Sequence, residues 1–222
     1  MGNFRRNVVV GSIMTGIALT GSACESYPTN YMNSSDAALV EKTVTDTGKF
    51  WAIQGLTDGN TLKAQVAVGN DTFNCGGVEV TSDSLNSAYC KEDNVLNISV
   101  GLINQARTTA GSENAEVAIR GAVRHAVGEF VLQEDPHMSE YPPTDEDEAA
   151  MFIDRERACL GGIATYNVAM VDNQLSGAAE TPVIYQTYLH TGDSRDFGGI
   201  MAKAYSEGYE AQTQNRNVCI GI

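Results

Sequence analysis

Five cysteines behind a short apolar N-terminal segment restrict this chain more than any other feature. Arg5 and Arg6 precede an apolar run from Val8 to Thr20, and Gly21-Ser22-Ala23 then leads to Cys24. That order is the one a secretory signal uses, and the run is too short to span a bilayer. Residues 1–23 are therefore expected as a signal peptide. Gly21 and Ala23 suit an ordinary signal-peptidase cut, whereas Cys24 directly afterwards suits an acylated lipoprotein, although the usual leucine three places earlier is missing. An exported chain with an odd cysteine count leaves one outside intramolecular pairs. Cys24 is the natural odd one and the expected lipidation site. Cys75 with Cys90 and Cys159 with Cys219 are the expected disulfides, because each pair brackets one recognisable unit and an oxidising compartment permits the bonds.

Charge narrows the partners. The formal net charge is −14, and removing residues 1–23 takes away two arginines and no acid, leaving 12 basic against 28 acidic residues, near −16. Nucleic acid is excluded as a natural partner at that balance. The remaining 199 residues suffice for one domain with a real core, and no composition break or internal repeat argues for two.

Periodicity gives the elements. Residues 24–35 contain a polar run around Pro28 that reads as a tether, and one domain is expected over 36–222. Ser35 and Asp36 are candidate caps for a helix whose apolar stripe runs through Ala38, Leu39, Val40, Val44, Phe50, Trp51 and Ile53, with Trp51 as a core anchor. After a turn at Asp58-Gly59-Asn60, segments 62–68, 77–81 and 94–100 favour strands and a small antiparallel sheet. Residues 115–133 make the strongest helix, with Val117, Ala118, Gly121, Ala122, His125, Gly128 and Leu132 near one face. The acidic, proline-bearing stretch 134–148 is expected as an exposed loop, followed by helices over 147–171 and from about residue 193. The predicted class is α+β.

The helix from Arg120 to Leu132 reads RGAVRHAVGEFVL, which keeps the frame of an H-E-x-x-H zinc helix and changes its chemistry. In that motif two imidazoles one turn apart grip the metal and the glutamate takes a proton from metal-bound water. Here Ala126 stands at the glutamate position and Glu129 at the second histidine position. Several further stretches, in order, resemble the bacterial neutral zinc metallopeptidases. Phe50-Trp51 is similar to the pair that ends the family's first helix, and Cys75-Gly76 and Tyr89-Cys90-Lys91-Glu92-Asp93-Asn94-Val95-Leu96 are similar to its cysteine-glycine and tyrosine-cysteine-proline segments, with Lys91 in place of proline. The family's H-E-x-G-H-x-x-Q falls on residues 125–132, and its E-x-x-A-D-C-x-A-G on residues 154–162, where Asp154 replaces the third-ligand glutamate and Ala158 the aspartate. Arg195 to Phe197 and Gly208-Tyr209 before Cys219 are similar to its closing helix and cysteine.

The resemblance implies a zincin-like fold with a helical core and a small antiparallel sheet. It also implies a degenerate site: no catalytic residue, and His125, Glu129 and Asp154 at the metal-ligand positions. Ala126 cannot shuttle a proton, and loss of a positioned base costs about 10²–10⁴ in rate. One imidazole and two carboxylates would still tolerate zinc, manganese or calcium, though Asp154 is one methylene short. The competing reading has Arg124 and Arg157 neutralise Glu129 and Asp154, since an unpaired buried carboxylate is costly, with His125 as a core histidine.

Elsewhere, His137 and the run Asp145-Glu146-Asp147-Glu148 lack D-x-[DN]-x-[DN]-G spacing and read as a solvated loop, and His190 has no evident role. No G-x-S-x-G elbow or phosphate-cradling loop is present. The expected protein is an exported, lipid-anchored or secreted cell-envelope protein related to a neutral zinc metallopeptidase, inactive and without cofactor, binding a peptide or envelope protein. Its rivals are an active divergent peptidase that recruits Glu156 or His137 to a zinc or manganese site, and a purely structural envelope lipoprotein.

Overall fold

A computed structural model of the protein describes residues 32–135, 138, 146–171 and 195–220. The signal segment, Cys24, His137, Asp145 and His190 lie outside the described residues.

Helix α1 spans Ser34–Ile53 and is capped by Asn33, whose side-chain oxygen accepts the Asp36 amide at 2.8 Å. The cap thus lies earlier than Ser35, and the helix starts inside the expected tether. Asp36 is busy elsewhere: its carboxylate holds Arg107 of α2 (Val100–Ala110). Phe50 and Trp51 sit in the main core with ring centroids 4.7 Å apart. Ile53 does not join them; it is 81% exposed, because two residues past Trp51 is about 200° round the helix.

Strands β1 (Lys63–Ala67), β4 (Ser87–Cys90) and β5 (Val95–Ser99) form one sheet in the order β1-β5-β4, and β2 (Thr72–Cys75) and β3 (Val78–Thr81) form a separate hairpin. The expected all-antiparallel sheet is corrected here. β1 runs parallel to β5, with Lys63 opposite Val95, and only β4 opposes β5, with Ser87 opposite Ile98. The chain between β1 and β5 makes a long excursion through the hairpin and β4, which is what a parallel pairing requires. The central position of β5 also erases its alternation: Leu96, Asn97, Ile98 and Ser99 are all buried. Asn97 donates to both Cys75 Sγ and Cys90 Sγ at 3.1 Å, anchoring the hairpin disulfide to the sheet. Ser99 ends the strand by capping α2 through its hydroxyl, which accepts the Gly101 amide at 2.9 Å, so Val100 belongs to a helix rather than to the strand.

Helix α3 (Ala115–Glu134) runs through the middle, packed against α1, α2, β4, β5 and α4 (Glu146–Val171). It is not amphipathic in the expected sense. Residues such as Ile119, Val123, Val127, Phe130 and Val131 are fully buried on other faces, while Ala122, His125 and Leu132 are only partly covered. The partly covered positions Ala122, His125, Glu129 and Leu132 share one face, and only Glu116 and Gln133 are exposed, so little polar surface marks the orientation of the helix.

The expected exposed loop over 134–148 is corrected at its described residues, with 136, 137 and 139–145 lying outside them. Glu134 closes α3, Asp135 is buried in an ion pair with Arg216, Met138 is buried in the core, and Glu146 already begins α4.

Helix α5 (Arg195–Glu210) lies on α4, and a disulfide joins Cys159 of α4 to Cys219 in the 3₁₀ turn Arg216–Cys219. The helices meet backbone to backbone: a β-carbon built on Gly208 would stand 2.0 Å from the Cys159 carbonyl oxygen. Gly208→Ala is therefore expected to force α4 and α5 apart. The net loss should be about 2 kcal/mol after the gain in helix propensity, read as a melting temperature lower by about 5 °C. An unchanged melting temperature would refute this crossing.

The described chain is α+β. Its two disulfides are the chemistry of an oxidising compartment outside the cytoplasm. No described helix is long and apolar enough to cross a membrane.

Candidate functional site

Glycine makes the centre possible. At the α3–α4 crossing, a β-carbon on Gly128 would fall 2.9 Å from Arg157 Cα, so only a bare backbone lets Arg157 lie so close to α3. From there the guanidinium extends between two of the positions singled out in the sequence. Nη2 stands 3.3 Å from Glu129 Oε2, and Nη1 stands 3.4 Å from Asp154 Oδ1. Nη2 also donates to Ser87 Oγ on β4 at 2.8 Å. Gln133, one turn beyond Glu129, donates to Glu129 Oε1 at 3.2 Å, and the Tyr89 backbone amide adds another bond to that carboxylate.

All three charged side chains are largely removed from water, with 9% of Arg157, 16% of Glu129 and 12% of Asp154 exposed. Burial raises the pKa of both carboxyls above the ordinary range, and the Arg157 charge works against that rise in each. Both ion-pair distances exceed the 2.7–2.9 Å typical of a tight charge-assisted bond, consistent with one cation shared between two acids.

His125 lies one turn before Glu129, where burial first and the Arg157 charge second hold its pKa well below the usual imidazole value. It is therefore neutral in the folded chain. Because the unfolded imidazole titrates near about 6.5, this group contributes stability that is present above that pH and lost as pH falls below it. The buried carboxyls have the opposite sign: their contribution is present at acid pH and lost as pH rises through their raised values. Comparison with His125→Asn isolates the imidazole. The stability advantage of the natural chain over the variant should shrink by up to about 1.4 kcal/mol per pH unit below about 6.5 in urea titrations; a pH-independent difference would contradict a neutral His125.

The structure thus brings Glu129 and Asp154 together around Arg157 and keeps His125 within the field of the same charge. Ala126 lies elsewhere, wholly buried in the main apolar core with Val123, Val127 and Phe130. Arg124, the other expected neutraliser, instead donates to Thr165 Oγ1 at 3.1 Å. Glu156 is 1% exposed, and two residues past Asp154 it projects about 200° round α4, away from the centre. Ser87, Tyr89 and Gln133 complete the arrangement. Nothing in the sequence marked Ser87, which lies 70 residues from Arg157.

Among the described residues no group of three or more His, Cys, Asp or Glu side chains is placed to hold a metal, and the space between Glu129 and Asp154 already carries a guanidinium. Arg157 neutralises buried charge there, and position 126 places a methyl group in the apolar core. No family model, curated protein or solved structure matches the chain.

Proposed function

We propose that this chain is an exported, zincin-like cell-envelope protein, related to the neutral zinc metallopeptidases, whose former catalytic centre has become an ion-paired structural node. The observation that carries this reading is Arg157 shared between Glu129 and Asp154. Two positions that the resemblance assigns to metal ligands, 25 residues apart in sequence, meet at one point, and a protein cation stands there. Cys24 supplies the lipid anchor, and the extracytoplasmic disulfides agree with that route. The function is then non-catalytic binding of a peptide or envelope protein, with anchoring raising the local concentration of the binder at the membrane surface.

The structural-lipoprotein reading has one observation in its favour, the closure of the centre itself: Asp154 and Arg157 are buried rather than presented to a cleft. Cross-linking in the native envelope separates the two readings, since a binder gives one dominant partner and a structural protein gives many. Catalysis is tested directly. With zinc or manganese added, the purified chain is expected to cleave casein no faster than its His125→Ala variant. Hydrolysis that requires His125 would overturn inertness and restore the divergent peptidase.

A further inference from the structure

Sharing no residue with the Arg157 centre, an open depression of about 790 Å³ lies where three helix ends converge. Gln54 is the C-cap of α1, Asp135 is the C-cap of α3, and Gln212 follows the end of α5. The lining is dense in amides: Gln54, Asn167, Gln212, Gln214, Asn215 and Asn217. Its two charges cancel, because Arg216 pairs with Asp135 and spends Nη1 on the Gln54 carbonyl oxygen at 2.9 Å.

That chemistry selects its ligand. Helix C-termini disfavour an anion, and the guanidinium that could offset them is already engaged. The lining offers little to a purely apolar molecule. Some of these amides brace the lining itself: Gln54 Nε2 donates to Gln214 Oε1, Asn167 Nδ2 donates to the Ile163 and Thr213 carbonyl oxygens, and Asn215 Oδ1 accepts the Asn217 amide. The amide groups of Gln212, Gln214 and Asn217 left beyond these bonds suit a neutral ligand carrying many hydroxyls. A saccharide presents such hydroxyls along its edges. An extended peptide would instead seek a strand edge for its backbone, and no lining residue belongs to a strand. Gln212 adds a further sign. It holds a left-handed backbone, φ 47°, where a glycine would sit at lower cost, and puts an amide into the lining.

From these features we infer that the depression is a saccharide-binding site for a neutral glycan segment. This inference is independent of the reading of the Arg157 centre and stands if that reading fails.

The test is a titration of the intact purified chain with chitotetraose, maltotetraose and, as the peptide control, tetra-alanine, followed by amide NMR shifts. At least one saccharide is expected to shift residues 54 and 212–217 saturably. The Gln214→Ala/Asn217→Ala variant, altered only at exposed positions, should bind about tenfold more weakly with an unchanged melting temperature. The inference is overturned if neither saccharide shifts these residues at about 10 mM, if only the peptide does, or if the variant binds as the natural chain does.

Discussion

Arg157→Ala should cost the fold about 3–5 kcal/mol at neutral pH, because it strips the shared cation from two buried acids. The loss should depend on pH, with a sign fixed by the direction of the carboxyl shifts. Burial already holds the folded pKa values of Glu129 and Asp154 above their unfolded ones. Their contribution to stability is therefore complete below the ordinary carboxylate range, about pH 4, and is lost as pH rises through the folded values. Without Arg157 those values rise further, so the penalty extends to higher pH and the variant recovers as the solution is acidified. Urea unfolding at about pH 7.5 and pH 5 measures this. A second variant separates charge from packing: Arg157→Met combined with Glu129→Gln and Asp154→Asn removes the cation and both anions together. It should regain most of the lost stability, since a neutral set leaves no carboxylate to protonate. A loss below about 1 kcal/mol for Arg157→Ala at neutral pH would mean that these groups behave as a solvated surface pair and that the centre is not closed.

Opening the Cys159–Cys219 bridge is the other large effect. The bond closes a separation of 60 residues, for which the loop-entropy model gives about 4 kcal/mol, and both cysteines are essentially inaccessible. The Cys159→Ser/Cys219→Ser chain should melt about 10 °C lower than the parent. The Cys75–Cys90 bridge, with a separation of 15, should contribute about 3 kcal/mol, so its serine pair should be the milder variant. The larger effect has a structural reason besides loop length. Cys219 follows Arg216, whose side chain joins the C-terminal ends of α1 and α3, so the bridge fastens a segment on which three helices depend. Equal losses for the two pairs, or none, would show that the denatured chain is already restricted by other contacts.

Much of the fold was legible where one local rule acted alone. The bounds of α3 follow within a residue from its apolar run, the two disulfides follow from cysteine spacing, and Trp51 is buried as its size demands. Misreadings arose where a longer-range contact overrode the local pattern. Val100 has the side chain of a strand residue, but Ser99 caps α2 and turns the chain. Strands β2 (TFNC) and β4 (SAYC) hold no Val or Ile to mark them, unlike β3 (VEVT) of the same length. Ile53 matches its neighbours in hydropathy but lies on the wrong side of α1. At the candidate site, the resemblance to the metallopeptidase motifs selected Glu129 and Asp154, and both arginines nearby were plausible partners. Only the crossing at Gly128 decides for Arg157, while Arg124 turns to Thr165.

Residue types alone show what is covalent or local: which residues stand in the H-E-x-x-H spacing, that Ala126 has no proton to exchange, which cysteines are available, and where the strongly periodic helices run. Three features came only from the packed chain: the parallel pairing of β1 with β5, the burial of most of α3, and the placing of one guanidinium between two acids. The physical reason is that a residue's type is written in the chain, whereas its electrostatic partner depends on how closely two backbones approach. Here that approach is set by a missing side chain at Gly128, so the charge pairing of the centre follows from packing.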